Sequence, residues 1–528
     1  ITHSLEKGGP VFFHFKCYRY LEHVGVNEDF QFGYRSRDEF KRWQAIDPIF
    51  IQRKKLLKNG HHESSIRKME REIIEQMMIS GVNVFRINFS HADYPDVEKR
   101  VNIIRDINEK KGYHVAILAD LQGPKLRVGI MGEKVKLKIG DKFIFTTEEC
   151  EGSKEKAFMT YQNFPKDVQV GEHILVDDGK LLFEVLETDG KTNVVTQVLR
   201  GGKLKSKKGV NLPNTNISLP ALTEKDKKDV EFAIKLEVDW IALSFVRTAE
   251  DLIELKEYIS ERSKYNIPII AKIEKPEAVA NIDKITPHCD ALMAARGDLG
   301  VEVPMEKVPL IQKKLVIKAK KAHIPIIIAT QMMETMITNQ VPTRAEVNDV
   351  ANSIMDGADA VMLSGETSVG AYPVEVIQQM RRIIENVENS PLIAPHEVHA
   401  KCINERFISK TICHQAAIMA DTINAEVITT LTASGYTAFQ ISSWRPKSHI
   451  LVFSSHRRIL AMLNLLWGVK GVYYDRFVST DQTIEDINSK AHENGYLNEG
   501  DYAINITSMP VRKRGMANTI RITEYGKN

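Results

Sequence analysis

The chain has 528 residues, 43% of them hydrophobic and 27% charged, with a net charge of +3. This is ordinary globular composition at a length that calls for roughly two to four domains. It gives no general attraction to nucleic acid or membrane, and no apolar run is long enough to span a bilayer. The five cysteines, Cys17, Cys150, Cys289, Cys402 and Cys413, are scattered and odd in number. That argues against a disulfide framework or a CxxC zinc site and points to a reducing cytoplasm. The chain opens Ile1-Thr2-His3 with no signal-peptide core, so its first residue is not expected to be a natural terminus.

Residues 1–65 form an atypical segment with no assigned structure. Beyond them one theme recurs: a short apolar run ending in polar or glycine residues, then a helical pattern. The runs are Gly81–Ser90, His114–Leu121, Val238–Phe245, Ile267–Glu274, Asp290–Gly297, Ile324–Gln331 and Ala358–Gly365. Near-continuous apolar strands are buried on both faces, as in parallel sheets. The amphipathic stretches Glu224–Leu236 and Pro304–Ala322 lie between them. Seven consecutive βα units predict an α/β fold of the (β/α)8 TIM-barrel type, one strand short, over 66–124 and 220–390; a doubly wound open sheet is the alternative. Between the two barrel parts the texture changes. Short alternating segments (VKLKIGDKFIFTT, HILVDDGKLLFEVLETD) punctuated by Gly-Asp and Asp-Gly predict a small all-β domain inserted over 125–219. Residues 391–528 read as a further small α/β domain, through AEVITTLTASGYTAFQIS, HILVFSS and GVYYD.

In such a barrel the active site lies at the C-terminal ends of the strands. Those ends carry Arg86, Asn88 and Ser90; Asp120; Ser244; Lys272 and Glu274; Arg296, Gly297 and Asp298; Thr330 and Gln331; and Ser364, Gly365 and Glu366. Two cations (Arg86, Lys272) and two carboxylates (Glu274, Asp298) suit Mg²⁺-assisted work on a small anionic substrate. Gly297-Asp298-Leu299-Gly300 would open a helix whose free N–H groups attract anions. Phosphoryl transfer needs little more than such positioning and charge neutralisation. Each residue alone has a plainer reading as a cap, a turn or a surface ion pair; the inference rests on the set.

The runs GVNVFRINFSHAD, LADLQGPKLRVG, KKGVNLPNTNISLPALTEKD, IIAKIEKPEAVANID, ARGDLGVEVP and MMETMITNQVPTRAEVNDVANSIMDGADAVMLSGET closely resemble the pyruvate kinase family, from about residue 71 onward and most strongly in the barrel. The resemblance implies transfer of a phosphoryl group from phosphoenolpyruvate to ADP, giving pyruvate and ATP. It implies Lys272, Thr330 and Ser364 as catalytic residues: Lys272 at the phosphoryl group, and Thr330, through water and Ser364, protonating the enolate. It implies Arg86, Ser244, Gly297, Asp298 and Thr330 around the substrate and Glu274 and Asp298 as ligands to Mg²⁺, with Mn²⁺ as a substitute. Asn88, Ser90, His91, Arg127 and Lys208 match nucleotide contacts. Asn88, Ser90, Asp120 and the Leu121 carbonyl match a monovalent-cation site. The inserted domain resembles the family's mobile lid and the last domain its effector and assembly domain. Thr432, Ser434, Gly435 and Thr437 match a loop for a sugar-phosphate effector, with Arg512, Lys513 and Arg514 as nearby basic residues, and the family is usually a homotetramer. The alternatives are an Mg²⁺-dependent enolate-stabilising barrel lyase and a catalytically impaired sugar-phosphate-binding relative.

The chain departs from the family twice. Where the family places its first barrel strand, of the type KIVATLGPAS, this chain has Leu57-Lys58-Asn59-Gly60-His61-His62-Glu63, which is not strand-like. The most strand-like segment nearby, Pro48–Lys54, is out of register, although REIIEQMMISG fits the first barrel helix over Ile66–Ser80. Second, where K⁺-requiring members read D-T-K-G-P-E, this chain reads Asp120-Leu121-Gln122-Gly123-Pro124-Lys125. An ammonium there in place of a carboxylate would repel K⁺, by about 4 kcal/mol at roughly 4 Å with an effective dielectric of 20. Lys125 is therefore expected to reach into the site and K⁺ not to be required.

Overall fold

The computed structural model describes residues 63–90, 92–132, 135–390, 406–476, 479–509 and 516–527. The expectations placed on residues 48–54 and 57–62, on His91 and on Arg512, Lys513 and Arg514 lie outside them.

Helix α1 (Glu63–Ser80) leads into β1 (Val84–Asn88). Helix α2 (Tyr94–Lys111) follows, capped by the Asp93 carboxylate on the Asp96 N–H and ended by left-handed Gly112. Then come β2 (Ala116–Asp120), α3 (Glu224–Lys235), β11 (Trp240–Leu243), α4 (Ala249–Ser260), β12 (Ile269–Ile273) and β13 (Ala291–Ala295). They are followed by α5 (Arg296–Glu302), α6 (Val308–Ala322), β14 (Ile326–Ala329), α7 (Arg344–Asp356), β15 (Ala360–Met362) and α8 (Pro373–Glu388). The seven strands form one parallel sheet in the order β1-β2-β11-β12-β13-β14-β15. All seven apolar runs are strands, and among the described residues no eighth strand joins β15 to β1. The edge strands are correspondingly less buried than those between them.

Period-two alternation divides each strand between two cores. Ile117, Ala119, Ile241, Leu243, Ile269, Ala271 and Ile273 pack outward against the helices. Leu118, Trp240, Ala242, Ile270, Met293, Ile327 and Ala329 fill the interior, where Leu465 of the C-terminal region joins them. Trp240 stands at the start of β11 and donates its indole N–H to the Met462 carbonyl at 3.0 Å. The C-terminal region thus closes the strand-start end of the barrel, leaving the other end for the site.

Between β2 and α3 lie β3 (Lys136–Leu137), β4 (Lys142–Thr146), β5 (Lys156–Phe158), β6 (His173–Val176), β7 (Leu181–Thr188), β8 (Asn193–Arg200), β9 (Gly202–Lys203) and β10 (Val210–Asn211). Six of them form one mostly antiparallel sheet, β10-β6-β7-β8-β4-β5, and β3 pairs with β9. Phe143, Phe145, Phe164 and Phe183 make the centre of its separate core. The C-terminal region has α9 (Phe407–Ile423), β16 (Val427–Leu431), α10 (Tyr436–Trp444), β17 (His449–Ser454), β18 (Val469–Tyr473), β19 (Tyr502–Thr507) and β20 (Thr519–Glu524). Its sheet runs β18-β17-β16-β19-β20, with only β20 antiparallel.

Candidate active site

The ends of β1, β2, β11 and β12 bring Arg86, Asp120, Ser244, Lys272 and Glu274 into one network. The Lys272 ammonium lies 3.0 Å from Asp120 Oδ1 and 3.0 Å from Glu274 Oε1, and donates to Ser244 Oγ at 2.6 Å. Arg86 closes the other side, with Nε and Nη2 each 2.6 Å from Asp120 Oδ2. Glu274 Oε2 accepts the Phe245 N–H at 2.7 Å, which is turned toward it because Phe245 is left-handed, with φ of 56°.

Burial and neighbouring charges compete at each of these groups. It raises the Asp120 pKa, but Lys272 and Arg86 outweigh it and hold that carboxyl below its usual range. Burial pulls the Lys272 pKa down, yet Asp120, Glu274 and Asp298 together lift it above its ordinary value, so the ammonium stays charged. Glu274 is pushed up by burial and by the Asp298 charge, against the pull of Lys272. The Asp298 charge is felt at Glu274, and among the described residues Asp298 forms no ion pair. Two such carboxylates fit a divalent cation that keeps most of its waters. Among the described residues no group of three or more His, Cys, Asp or Glu forms a protein-only metal cage.

On the far side, Thr330 and Gln331 are both left-handed, with φ of 70° and 56°. Thr330 Oγ1 accepts the Gly297 N–H at 2.7 Å. Arg296 holds this turn by donating to the Thr330 carbonyl at 2.8 Å while paired with Asp349 at 2.6 Å. The expected anion-binding helix is α5, of seven residues; its Gly297 amide is already engaged by Thr330. Ser364 lies two residues past β15, its N–H held by Glu366 Oε2 at 2.7 Å. Glu366 also takes the Met333 N–H at 3.2 Å.

The other expected positions are scattered around this centre. Ser90 lies two residues past the end of β1, its N–H on Asn88 Oδ1 at 3.1 Å. The Leu121 carbonyl accepts from Ser244 Oγ at 2.7 Å. Arg127 pairs across from Gly209 in the inserted domain, beside Lys208, whose ammonium is 2.7 Å from Asp177. Lys125 corrects an expectation: its side chain is exposed, with no hydrogen bond or ion pair to Asn88, Ser90 or Asp120. Its charge acts across solvent, far more weakly than at contact. In the C-terminal region the Gly435 N–H donates to Thr432 Oγ1 at 2.9 Å, Thr437 meets Thr430 at 3.0 Å, and Ser434 is exposed.

The strand ends picked out Arg296 and Glu366 but not the supporting contacts they make, and they did not include Asp226, a tie on the connecting segments. Asp226 did have a signal, the Thr223-x-x-Asp226 capping box. Its carboxylate takes Gly123 N–H at 3.1 Å and Thr223 N–H at 3.0 Å, tying both connections of the inserted domain to α3.

Residues 65–377 match the family model described as pyruvate kinase, barrel domain, and residues 410–523 match pyruvate kinase, alpha/beta domain. The chain is 41% identical over 438 residues to pyruvate kinase 2 of Synechocystis sp., covering 82% of this chain and 73% of the relative. It is 40% identical over 453 residues to the pyruvate kinase of Geobacillus stearothermophilus, covering 85% and 76%. A solved pyruvate kinase from Cryptosporidium parvum superposes with a TM-score of 0.79 at 33% identity, covering 86% of this chain and 93% of that one.

Proposed function

From the membership of this chain in the pyruvate kinase family, we propose a division of labour among its residues for the reaction that family performs, transfer of the phosphoryl group of phosphoenolpyruvate to ADP to give pyruvate and ATP. The observation that carries the reading is the convergence of Lys272 and Arg86 on Asp120 and Glu274 at one barrel end. Arg86 grips the substrate phosphate. Lys272 Nζ neutralises charge on the phosphoryl group in flight while its contacts with Asp120 and Ser244 keep it in place. Ser244 holds Lys272 in place. Glu274 and Asp298 would hold Mg²⁺, or Mn²⁺ in its place, which supplies charge neutralisation at the phosphoryl oxygens. The substrate carboxylate displaces Thr330 Oγ1 from the Gly297 amide, with the Asp298 amide beside it. Thr330 then stands at the enolate left after transfer, and its hydroxyl delivers the proton through water and Ser364.

Asn88, Ser90, His91, Arg127 and Lys208 are assigned to the nucleotide. The inserted domain, 125–219, is assigned as the lid, 66–124 and 220–390 as the catalytic barrel, and 391–528 as the effector and assembly domain. The Thr432–Thr437 loop is assigned to a sugar-phosphate effector. Exposed apolar residues on and beside α6 (Met305, Leu310, Ile317) and on α9 (Phe407, Ile408, Ile418) support a homotetramer, which light scattering on the purified chain would check. No helix among the described residues is long and apolar enough to cross a membrane, and we assign the protein to the cytoplasm.

K⁺ is not required in this reading, because Asp120 already meets two cations. A coupled assay tests both points. ATP should form from phosphoenolpyruvate and ADP with Mg²⁺ alone, and KCl, with ionic strength held by a tetraalkylammonium salt, should not raise the rate. No ATP under any salt would sink the activity; strong activation by KCl would sink only the K⁺ assignment.

A further inference from the structure

Lys275 and Glu302 form an ion pair for which the steps above have no use. Lys275 Nζ lies 2.7 Å from Glu302 Oε1, and the side chains are 6% and 0% exposed. The same oxygen accepts from Asn211 Nδ2 at 2.7 Å. Glu302 Oε2 is buried with no hydrogen-bond partner among the described residues. A buried pair left this incompletely bonded is a poor stabiliser. Apolar side chains of similar volume commonly do as well or better.

Its location gives it a role. Lys275 directly follows Glu274. Glu302 lies four residues after Asp298 on α5, and residues so spaced stack on one helix face. The ion pair therefore cross-links the two segments that carry the candidate metal carboxylates. Asn211 belongs to β10 of the inserted domain, held in register opposite Leu175 of β6. We propose that Glu302 is a positioning residue that fixes the spacing of Glu274 and Asp298 and, through Asn211, makes that spacing depend on where the inserted domain stands. The proposal rests on the metal assignment of Glu274 and Asp298. It makes the lid and the metal site one coupled unit: Asn211 reports lid position, Glu302 receives it, and α5 carries it one turn to Asp298. Among the described residues Asn211 has no hydrogen bond to Glu274 or Asp298, so its effect is expected to pass through Glu302.

Mn²⁺ binding read by electron paramagnetic resonance on the full chain, without substrates, tests this independently of turnover. Glu302→Gln and Lys275→Met should each weaken Mn²⁺ binding about ten-fold, as expected for groups that orient metal ligands. Asn211→Ala should weaken it by a smaller factor at unchanged Tm. The double variant Asn211→Ala/Glu302→Gln should bind no more weakly than Glu302→Gln alone, because both act along one path. In turnover, the Mg²⁺ needed for half-activation should rise while KM for phosphoenolpyruvate holds. Wild-type Mn²⁺ affinity in folded Lys275→Met and Asn211→Ala, or additive losses in the double variant, would overturn the proposal. If Glu302→Gln does not fold, the other two single variants decide. Glu274→Gln with wild-type Mn²⁺ affinity would instead remove the metal assignment, and this proposal with it.

Discussion

Lys272 sits in a cage of three oxygens, those of Asp120, Glu274 and Ser244. A buried ammonium so surrounded keeps its charge and its direction, and both are needed to meet a phosphoryl group. Lys272→Met, Glu274→Gln and Asp298→Asn should therefore each lower kcat by at least ~100-fold, the scale of losing one positioned charge, with circular dichroism unchanged. Lys272→Met should retain Mn²⁺ binding, whereas the two carboxamide variants should lose it. Near-normal turnover in any of the three would refute the assignment. Lys125 shows the opposite lesson: its charge was readable, but whether a four-carbon stem reaches the site depends on where the hinge leaves it.

The hinge is the element on which the lid assignment turns. Gly123 has φ of 68°, and a Cβ there would stand 2.8 Å from Phe245 Cδ2 and 3.1 Å from Ser244 Cβ. Both the left-handed backbone and the lack of space call for glycine. Gly123→Ala should cost ~1–2 kcal/mol in backbone strain alone. Because it presses on Phe245 and Ser244, which hold Glu274 and Lys272, kcat should fall more than stability does. Melting curves beside kcat measurements check this; wild-type kcat would show that the hinge and the catalytic lysine are mechanically separate.

Across the whole molecule, the barrel and the C-terminal region are joined by buried charge. Arg445 donates to the Gly357 and Ala358 carbonyls at 2.7 and 2.6 Å and pairs with Asp359 at 3.1 Å. Asp359 also takes Lys320 at 2.9 Å. Nearby, His323 contacts Ser443 at 2.7 Å, and burial, with help from Lys410, His414 and Lys320, pushes its pKa down to about 4. With the folded value below the unfolded one, the unfolded chain binds the extra proton first. Stability should be full above about pH 6.5 and fall as pH drops toward about 4, by on the order of 3 kcal/mol for this group. His323→Gln should flatten that part of the profile, as read by urea melts at several pH values. An unchanged slope would show that His323 is not what loosens the junction in acid.

The sequence by itself determined the repeated strand–helix units, the inserted β domain, the family and the residues at each strand end. Those features are local: periodicity, turn residues and side-chain chemistry need no knowledge of distant contacts. Only the tertiary structure decided which of those residues meet. It brought Lys272 onto Asp120 and Glu274, kept Lys125 in solvent, placed Ser90 beyond its strand and turned Thr330 left-handed under Arg296. It also revealed Asp226 and Glu302, whose partners are far away in the chain: Asp226 holds Gly123 and Glu302 holds Asn211. Such contacts depend on how whole layers pack, and no pattern along a single segment encodes them.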